Sequence, residues 1–144
     1  MTQEDKELLL KDLCARLQYG VKCYSVITNG KPNTIGGYRK VLDNFYVEVV
    51  GRWVPISTIK PYLRPMSSMT EEEKGELKLE QEKDEELFIQ VINKSQNGDD
   101  SLLGTVIPHC AEDWANKNHF DYRGLIEKGL ALKALDGMYN LNKE

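Results

Sequence analysis

The sequence predicts an α+β protein in which an N-terminal helix packs on a small antiparallel β unit and a mainly helical C-terminal half follows. Two patterns indicate this class. Apolar residues recur at helical spacing within residues 1–20, whereas residues 21–59 form short β-branched and aromatic runs separated by turn residues. Of the 144 residues, 40% are apolar and 29% are charged, which is enough apolar material for the chain to fold on its own.

The first helix is predicted from its two ends and from its apolar stripe. Thr2 and Asp5 have the spacing of an approximate capping box, and Gly20 supplies a C-terminal stop. Between these ends the apolar side chains recur at helical spacing: Leu9, Leu10, Leu13, Cys14 and Leu17. One face of the helix is therefore expected to pack against the segment that follows.

Three to five antiparallel strands are predicted after this helix. The β-like runs are residues 21–28, 38–42, 45–50 and 53–56, with turn residues between them. The pair Gly36-Gly37 is interpreted as a turn. That many short strands in about 40 residues favours a small, strongly bent sheet or an SH3-like barrel.

Residues 60–65 are predicted to leave the β unit. Pro61 and Pro65 argue against a regular helix or a central strand, so the segment is expected to be an extended linker on the surface of the β unit. The linker divides the chain into residues 1–66, which contain the helix and the β unit, and residues 67–144. The two parts are expected to share one core.

The C-terminal part is predicted to contain an acidic helix and a helical pair. Thr70 and Glu73 form a capping box that starts the acidic helix. Periodicity leaves helix and strand open for residues 87–92, and residues 105–108 can form a short edge strand that ends at a proline. The helical pair is predicted over residues 111–118 and 122–128, with Asp121 capping the second helix and Gly129 ending it.

Charge is unevenly distributed along the chain, whose net charge is −4. Residues 21–69 contain seven basic and two acidic side chains, a balance of +5. Residues 70–86 contain nine acidic and three basic side chains, a balance of −6. A basic segment followed by an acidic one indicates either two faces for different partners or a basic lobe that rests against an acidic helix.

The sequence argues against export, membrane insertion and disulfide bonding. The acidic N-terminus lacks the features of a secretory signal, and no apolar run approaches the roughly 20 residues of a membrane span, so a cytoplasmic protein is expected. Cys14, Cys23 and Cys110 have no C-x-x-C spacing, and reduced, mostly buried thiols are expected. The glycines at 30 and 36 lack the rest of a nucleotide-binding loop, so no cofactor is predicted.

Two motifs are specific enough to suggest relatives: KPYLRPMSSMTEEE at residues 60–73 and NHFDYRGLIEKGLA at residues 118–131. With residues 11–17 and 137–139, they resemble an uncharacterised family of small proteins from gut anaerobic bacteria. Members of that family are often encoded in prophages or other mobile elements. The resemblance implies a genomic context, but it brings no activity, catalytic residue or cofactor.

His109, Cys110, Asp113 and His119 form the one cluster in the sequence with residue types that bind metals or form a catalytic Cys–His pair. Their spacing matches no zinc site, and a nucleophile needs a base within hydrogen-bond reach. The interpretation is a buried Cys110 at a helix start and two histidines on the surface. A non-enzymatic protein without a metal site is therefore expected.

The β unit interleaves aromatic and basic residues in a pattern typical of partner-binding surfaces. The candidate partner-binding residues are Tyr38, Arg39, Lys40, Tyr46, Arg52, Trp53, Lys60 and Arg64, and Tyr24 and Tyr62 lie in the same segment. Such a set suits a nucleic-acid-binding module, in which aromatic rings stack on bases and cations contact phosphate. An isoelectric point near 5.3 argues against that function. The predicted function is a non-enzymatic accessory protein of a mobile genetic element or prophage that binds an unknown protein, with nucleic-acid binding as the alternative.

Overall fold

The structure is a computed structural model, and it describes residues 1–98 and 109–139. It contains helices and a mixed six-stranded sheet, which confirms the α+β class. The chain divides into two compact units. Unit 1 contains Met1–Ser68 and Asn116–Glu144, and unit 2 contains Met69–Ala115.

Helix α1 (Gln3–Arg16) begins and ends as predicted. The Thr2 hydroxyl oxygen accepts a hydrogen bond from the Asp5 amide at 3.0 Å, which confirms the N-terminal cap. After one 3₁₀ turn, Gly20 adopts a left-handed conformation with φ of 72°, and its N–H donates to the carbonyl of Leu17. The apolar stripe contributes Leu9 and Leu13 to the core of unit 1.

The strands of the sheet in unit 1 pair antiparallel, except for one parallel pair at one edge. Its strands are β1 (Lys22–Ser25), β2 (Asn33–Val41), β3 (Asn44–Val49), β4 (Arg52–Pro55), β5 (Ile59–Leu63) and β6 (Leu132–Lys133). The spatial order is β4-β3-β2-β1-β5-β6, and only β5 and β6 run parallel. This order leaves β4 and β6 as two edges within the described residues, so an SH3-like closure is not confirmed.

The predicted surface linker at residues 60–65 is instead largely the internal strand β5, and that prediction is wrong. β5 pairs with β1 on one side and with β6 on the other, and Ile59 and Leu63 are buried. Pro61 is tolerated because its nitrogen faces the β6 side of β5, as the carbonyl of Leu63 does, and the ladder to β6 begins only at Tyr62. The proline therefore lies beside the second ladder rather than within it.

The inner face of the sheet packs on α1. Residues paired directly across antiparallel strands place their side chains on the same face, and successive side chains alternate between faces. Val47 pairs with Val54, and Ile35 pairs with Val49, and all four are buried in one core with Leu13. The other face of these strands consequently points away from the core.

The C-terminal segment of unit 1 departs from the prediction. Residues 122–128 form turns rather than a helix, and Asp121 caps no helix there. Its carboxylate instead accepts hydrogen bonds from the amides of Leu125 and Ile126, four and five residues later. Gly124 is left-handed with φ of 74°, which breaks a helix. The predicted helical pair is therefore wrong in its second member, and a mainly helical C-terminal half is not confirmed.

Unit 2 contains helix α2 (Glu71–Gln96) and the start of helix α3 (Cys110–Lys117). The capping box is confirmed, because the Thr70 amide donates to Glu73 Oε1 at 3.0 Å and the Glu73 amide donates to Thr70 Oγ1 at 3.1 Å. Residues 87–92, for which helix and strand were both open, are helical. The helix predicted over 111–118 is confirmed as α3, and the edge strand predicted at 105–108 lies outside the described residues.

No helix in the described ranges is both long enough and apolar enough to cross a membrane.

Candidate functional site

The sheet of unit 1 exposes a face rich in aromatic and basic side chains. Its position follows from the register: Tyr46 pairs with both Arg39 and Pro55, and Tyr24 pairs with Lys60. Along each strand the side chains of these residues alternate with those of the buried core residues, so they lie on the opposite side of the sheet. We define the outer face by the following residues: Lys22, Tyr24, Arg39, Tyr46, Trp53 and Lys60.

The centre of the outer face is a contact between Arg39 and Trp53. The guanidinium carbon of Arg39 lies 4.4 Å from the centroid of the Trp53 ring, which is cation–π geometry. The Trp53 side chain is nevertheless 40% exposed. Gly37 lies beside the ring, since a Cβ atom at Gly37 would stand 3.7 Å from Trp53 Cη2. The ring is thus held in place while much of its surface remains in water.

The glycine pair that was interpreted as a turn lies inside β2, and that interpretation is wrong. The register between β2 and β3 shifts between Ile35 and Gly37, which makes Gly36 the extra residue of a β-bulge. A Cβ atom at Gly36 would lie 2.8 Å from Glu48 Oε1, so the flexible Glu48 side chain would have to move its carboxylate away. Gly36 therefore makes room for the Glu48 carboxylate on the outer face.

Four of the eight predicted partner-binding residues lie on the outer face: Arg39, Tyr46, Trp53 and Lys60. Three others alternate to the opposite side of the sheet, because Tyr38 pairs with Val47, Lys40 with Phe45 and Arg52 with Val49. All three are exposed at the margin of the inner face. The structure therefore separates the predicted set onto two sides of one sheet.

The eighth predicted residue, Arg64, makes its contacts within unit 1 rather than on the outer face. Its guanidinium carbon lies 4.1 Å from the centroid of the Phe120 ring, and Nη1 donates to the carbonyl of Asn118 at 3.3 Å. Its backbone N–H and carbonyl also bond to His119 and Asp121. Arg64 thus anchors the segment that leads from α3 back to the sheet.

The outer face has a modest positive charge. It carries three basic side chains, Lys22, Arg39 and Lys60, and the one acidic side chain that the register places among them is Glu48. The resulting balance is +2. A patch of this composition and charge suits a surface that combines aromatic contact with a few ion pairs.

A buried ionic cluster holds α1 to the C-terminal segment of unit 1. Asp12 accepts hydrogen bonds from Arg16 Nε at 2.9 Å and from Arg123 Nη1 at 2.7 Å, and Arg16 Nη2 donates to the carbonyl of Phe120. Asp12 and Arg16 are fully buried. Sequence reasoning missed this cluster, although an acid and an arginine four residues apart within an apolar stripe were visible signals.

His119 is buried rather than on the surface, so that prediction is wrong. The side chain is 2% exposed and stacks on Tyr139, with the ring centroids 3.7 Å apart. Burial, with a contribution from the charge of Arg16, lowers the pKa of His119 to about 4. Burial also raises the pKa of Tyr139, whose hydroxyl donates to the carbonyl of Tyr62 at 2.7 Å.

The candidate metal or Cys–His cluster is divided between the two units. His109, Cys110 and Asp113 belong to unit 2, and His119 belongs to unit 1. Within the parts of the chain that the structure describes, no group of three or more histidine, cysteine, aspartate or glutamate side chains is arranged to hold a metal ion.

The three cysteines are free and differ in burial. Cys23 is buried, and burial raises its pKa to about 11. Cys110 is half-buried, and burial together with the nearby Asp84 carboxylate raises its pKa. Cys14 is exposed, so the expectation of mostly buried thiols is wrong for this residue.

Unit 2 contains an open groove between α2 and α3, with a cavity volume of about 450 Å³. Its lining residues are Glu76, Leu79, Glu80, Glu82, Lys83, Glu86 and Trp114. Trp114 Nε1 donates to Glu76 Oε1 at 3.2 Å, and Lys83 forms a 2.8 Å ion pair with Glu80. We call this surface the acidic groove, since four carboxylates against one lysine give it a balance of −3.

The groove is built on a side-chain cap between its two helices. The Asp84 carboxylate accepts hydrogen bonds from the amides of Cys110 at 2.7 Å and Ala111 at 3.0 Å, which are the first residues of α3. Partial burial opposes ionisation of Asp84, but these hydrogen bonds outweigh it and lower the pKa of the carboxyl group.

Comparison of the chain with family models, with curated proteins and with solved structures finds no match. The geometry described above is therefore the basis for a proposal about function.

Proposed function

We propose that this protein is a non-enzymatic accessory protein of a prophage or another mobile genetic element, and that it acts by binding another protein through the outer face. The observation that carries the proposal is the Arg39–Trp53 contact, in which a guanidinium 4.4 Å from the ring centroid fixes a tryptophan that is 40% exposed. The resemblance to proteins of mobile elements supports the genomic context.

The composition of the outer face supports a protein partner. Tryptophan, tyrosine and arginine are the residues most enriched at the energetic centres of protein interfaces. The Arg39–Trp53 contact also reduces the freedom of two large side chains before any partner arrives, so less entropy is lost on binding. A pre-ordered aromatic and cationic pair is therefore suited to be an anchor.

The same contact disfavours stacking on a nucleic acid. A base that stacks on Trp53 needs one flat side of the ring, and the Arg39 guanidinium occupies a position over the ring. The positive residues of the β unit are also split between the two sides of the sheet, which leaves the outer face with a balance of only +2. Tight, salt-dependent binding to phosphate requires more cations on one surface.

The two hairpin turns next to the outer face carry exposed apolar residues in strained conformations. Leu42, between β2 and β3, has φ of 57° and is 86% exposed. Val50, between β3 and β4, has φ of 53° and is 65% exposed. Asparagine or glycine would relieve the strain and the exposure at either position. Apolar side chains that cost stability where they stand support contact with a partner.

The proposal is tested by cross-linking from a photoreactive amino acid placed at Val41 or, as the control, at Lys40. The two positions are adjacent and exposed, and they alternate to opposite faces of β2. We expect one discrete protein adduct from position 41 in the producing bacterium, with little from position 40. The adduct should disappear when Trp53 is changed to alanine. The protein that retains Trp53 should form the same adduct when it is mixed with the purified partner. Equal adducts from both positions would contradict the proposal.

Binding to nucleic acid is tested separately by following amide shifts of the labelled protein during titration with single- and double-stranded oligonucleotides. We expect no shifts on the outer face at low salt. Shifts that cluster at Arg39, Tyr46 and Trp53 and vanish at high salt would instead identify a nucleic-acid-binding module.

A further inference from the structure

We infer that the outer face of one copy of the protein binds the acidic groove of a second copy, so that copies associate head to tail. The inference names the partner and therefore rests on the proposed function of the outer face. It starts from the presence, on one chain, of two exposed surfaces with opposite charge and matching chemistry.

Charge complementarity selects a second copy as the occupant of the groove. The outer face has a balance of +2 and the acidic groove a balance of −3, and each surface contains an exposed or half-buried tryptophan. Opposite potentials bring two surfaces together and disfavour contact between like surfaces. Two acidic grooves repel each other, and so do two positively charged outer faces. Contact between the outer face of one copy and the acidic groove of another is therefore favoured.

The groove also has the shape and side chains to receive the centre of the outer face. Its volume of about 450 Å³ is within the range of protein pockets that bind small molecules, so the open groove has room for a large side chain. Leu79 and Trp114 offer apolar surface, while the carboxylates of Glu82 and Glu86 face the same space. A guanidinium stacked on an indole fits such a lining, because the ring meets apolar surface and the cation meets carboxylate.

This contact has a definite consequence for assembly. The outer face and the groove are different surfaces, so a contact between them is heterologous, and each dimer still has one free face and one free groove. The association therefore does not stop at the dimer unless a ring closes. Ion pairs at an exposed interface are screened by salt, and high salt should return the protein to monomers.

Two charge reversals test the inference. Arg39→Glu disables the outer face and leaves the groove intact, while Glu86→Arg disables the groove and leaves the outer face intact. Each has an adjacent control with the same charge change: Lys40→Glu lies on the opposite side of β2, and Glu85→Arg lies on α2 outside the groove lining. Molar mass is measured by sedimentation and light scattering over a wide range of concentration, with circular dichroism to verify folding.

The expected result has three parts. The wild-type protein and both controls grow beyond dimers as concentration rises, while Arg39→Glu and Glu86→Arg alone each weaken association by about tenfold or more. An equimolar mixture of the two disabled variants forms a dimer and stops there, because only one intact face and one intact groove remain. Wild-type protein that stays monomeric, a mixture that stays monomeric, or controls that act like the disabled variants would overturn the inference.

The failure of this inference is distinguishable from failure of the proposed function. If the mixture stays monomeric while the cross-link from position 41 joins a different protein, self-association is wrong and the proposed function stands. If position 41 also gives no adduct that depends on Trp53, both are wrong.

Discussion

Arg39 and Trp53 are in contact across a strand that lies between them. Arg39 is on β2 and Trp53 is on β4, and these strands do not pair with each other because β3 separates them. The guanidinium therefore crosses β3 diagonally, between the rows that contain Tyr46 and Glu48. The contact depends on the register of both hairpins, and a shift of one residue in either hairpin would place the two side chains on opposite faces.

Replacing Trp53 with alanine should weaken partner binding strongly and leave the fold intact. Because Trp53 is 40% exposed and lies outside the buried core, we expect the free energy of unfolding to fall by no more than about 1 kcal/mol. The neighbouring Val54 is buried, and Val54→Ala should cost about 1–3 kcal/mol through the cavity it leaves. Urea denaturation measures both. A larger loss for Trp53→Ala than for Val54→Ala would show that Trp53 serves stability instead.

Replacing Val50 with asparagine should stabilise the protein. Asparagine tolerates the left-handed conformation that strains a β-branched residue, and the exposed methyl groups are removed, so we expect a gain of about 1 kcal/mol. Thermal denaturation measures the change as a rise in melting temperature. The control is Val49→Asn at the adjacent buried position, which should destabilise. Stabilisation that is accompanied by weaker partner binding would show that Val50 is kept for contact.

Removing the buried carboxylate of Asp12 should strongly destabilise unit 1. Asp12→Ala leaves the fully buried Arg16 guanidinium without its acid, and we expect a loss of about 3–5 kcal/mol in chemical denaturation. The double variant Asp12→Leu with Arg16→Met removes both charges and should recover most of that loss. If the double variant is as unstable as the single one, packing rather than the unpaired charge explains the effect.

The stability of the protein should decrease at acidic pH through His119. The pKa of His119 is lowered in the folded state from the ordinary value of 6.5 to about 4. Between these two pH values, His119 is therefore protonated mainly in the unfolded chain and neutral in the folded chain. The contribution is fully present above pH 6.5 and is lost as pH falls towards 4. Below pH 4, the full loss of unfolding free energy from His119 amounts to about 3 kcal/mol.

The measurement is the difference in unfolding free energy between wild type and His119→Gln as a function of pH. Carboxylates titrate in both proteins and cancel in this difference. We expect the difference to change between pH 6.5 and 4 and to be flat above that window. A flat difference throughout would show that His119 titrates normally in the folded protein.

Local signals in the sequence predicted much of the fold. The caps at Thr2 and Thr70, the stop at Gly20 and the alternating strands each depend on interactions within a few residues, and the structure confirms them. The inner and outer faces of the sheet also follow from alternation along each strand. The sequence therefore predicted α1, the presence of short strands between residues 21 and 56 and the start of α2, but the first half of β2, from Asn33 to Gly37, was interpreted as turn residues.

Features that depend on distant residues could not be predicted. Residues 59–63 form an internal strand only because β6, about 70 residues later, supplies its second neighbour. His119 stacks on Tyr139, which is 20 residues away in sequence, and the charge of Arg16 on α1 affects its pKa, so nothing adjacent in sequence indicates its burial. Alternation alone separates neighbours such as Arg39 and Lys40 onto two sides of a strand, but the side that faces the core depends on register, which the bulge at Gly36 shifts by one residue.

The most direct test of the outer face uses the partner that cross-linking identifies, purified without the cross-link. Calorimetry measures its affinity for wild-type protein and for Trp53→Ala, with Lys40→Ala as the control. We expect Trp53→Ala to weaken binding by about thirtyfold or more, since a central tryptophan typically contributes at least 2 kcal/mol, and Lys40→Ala to have little effect. Equal affinity for wild type and Trp53→Ala would contradict binding through this face.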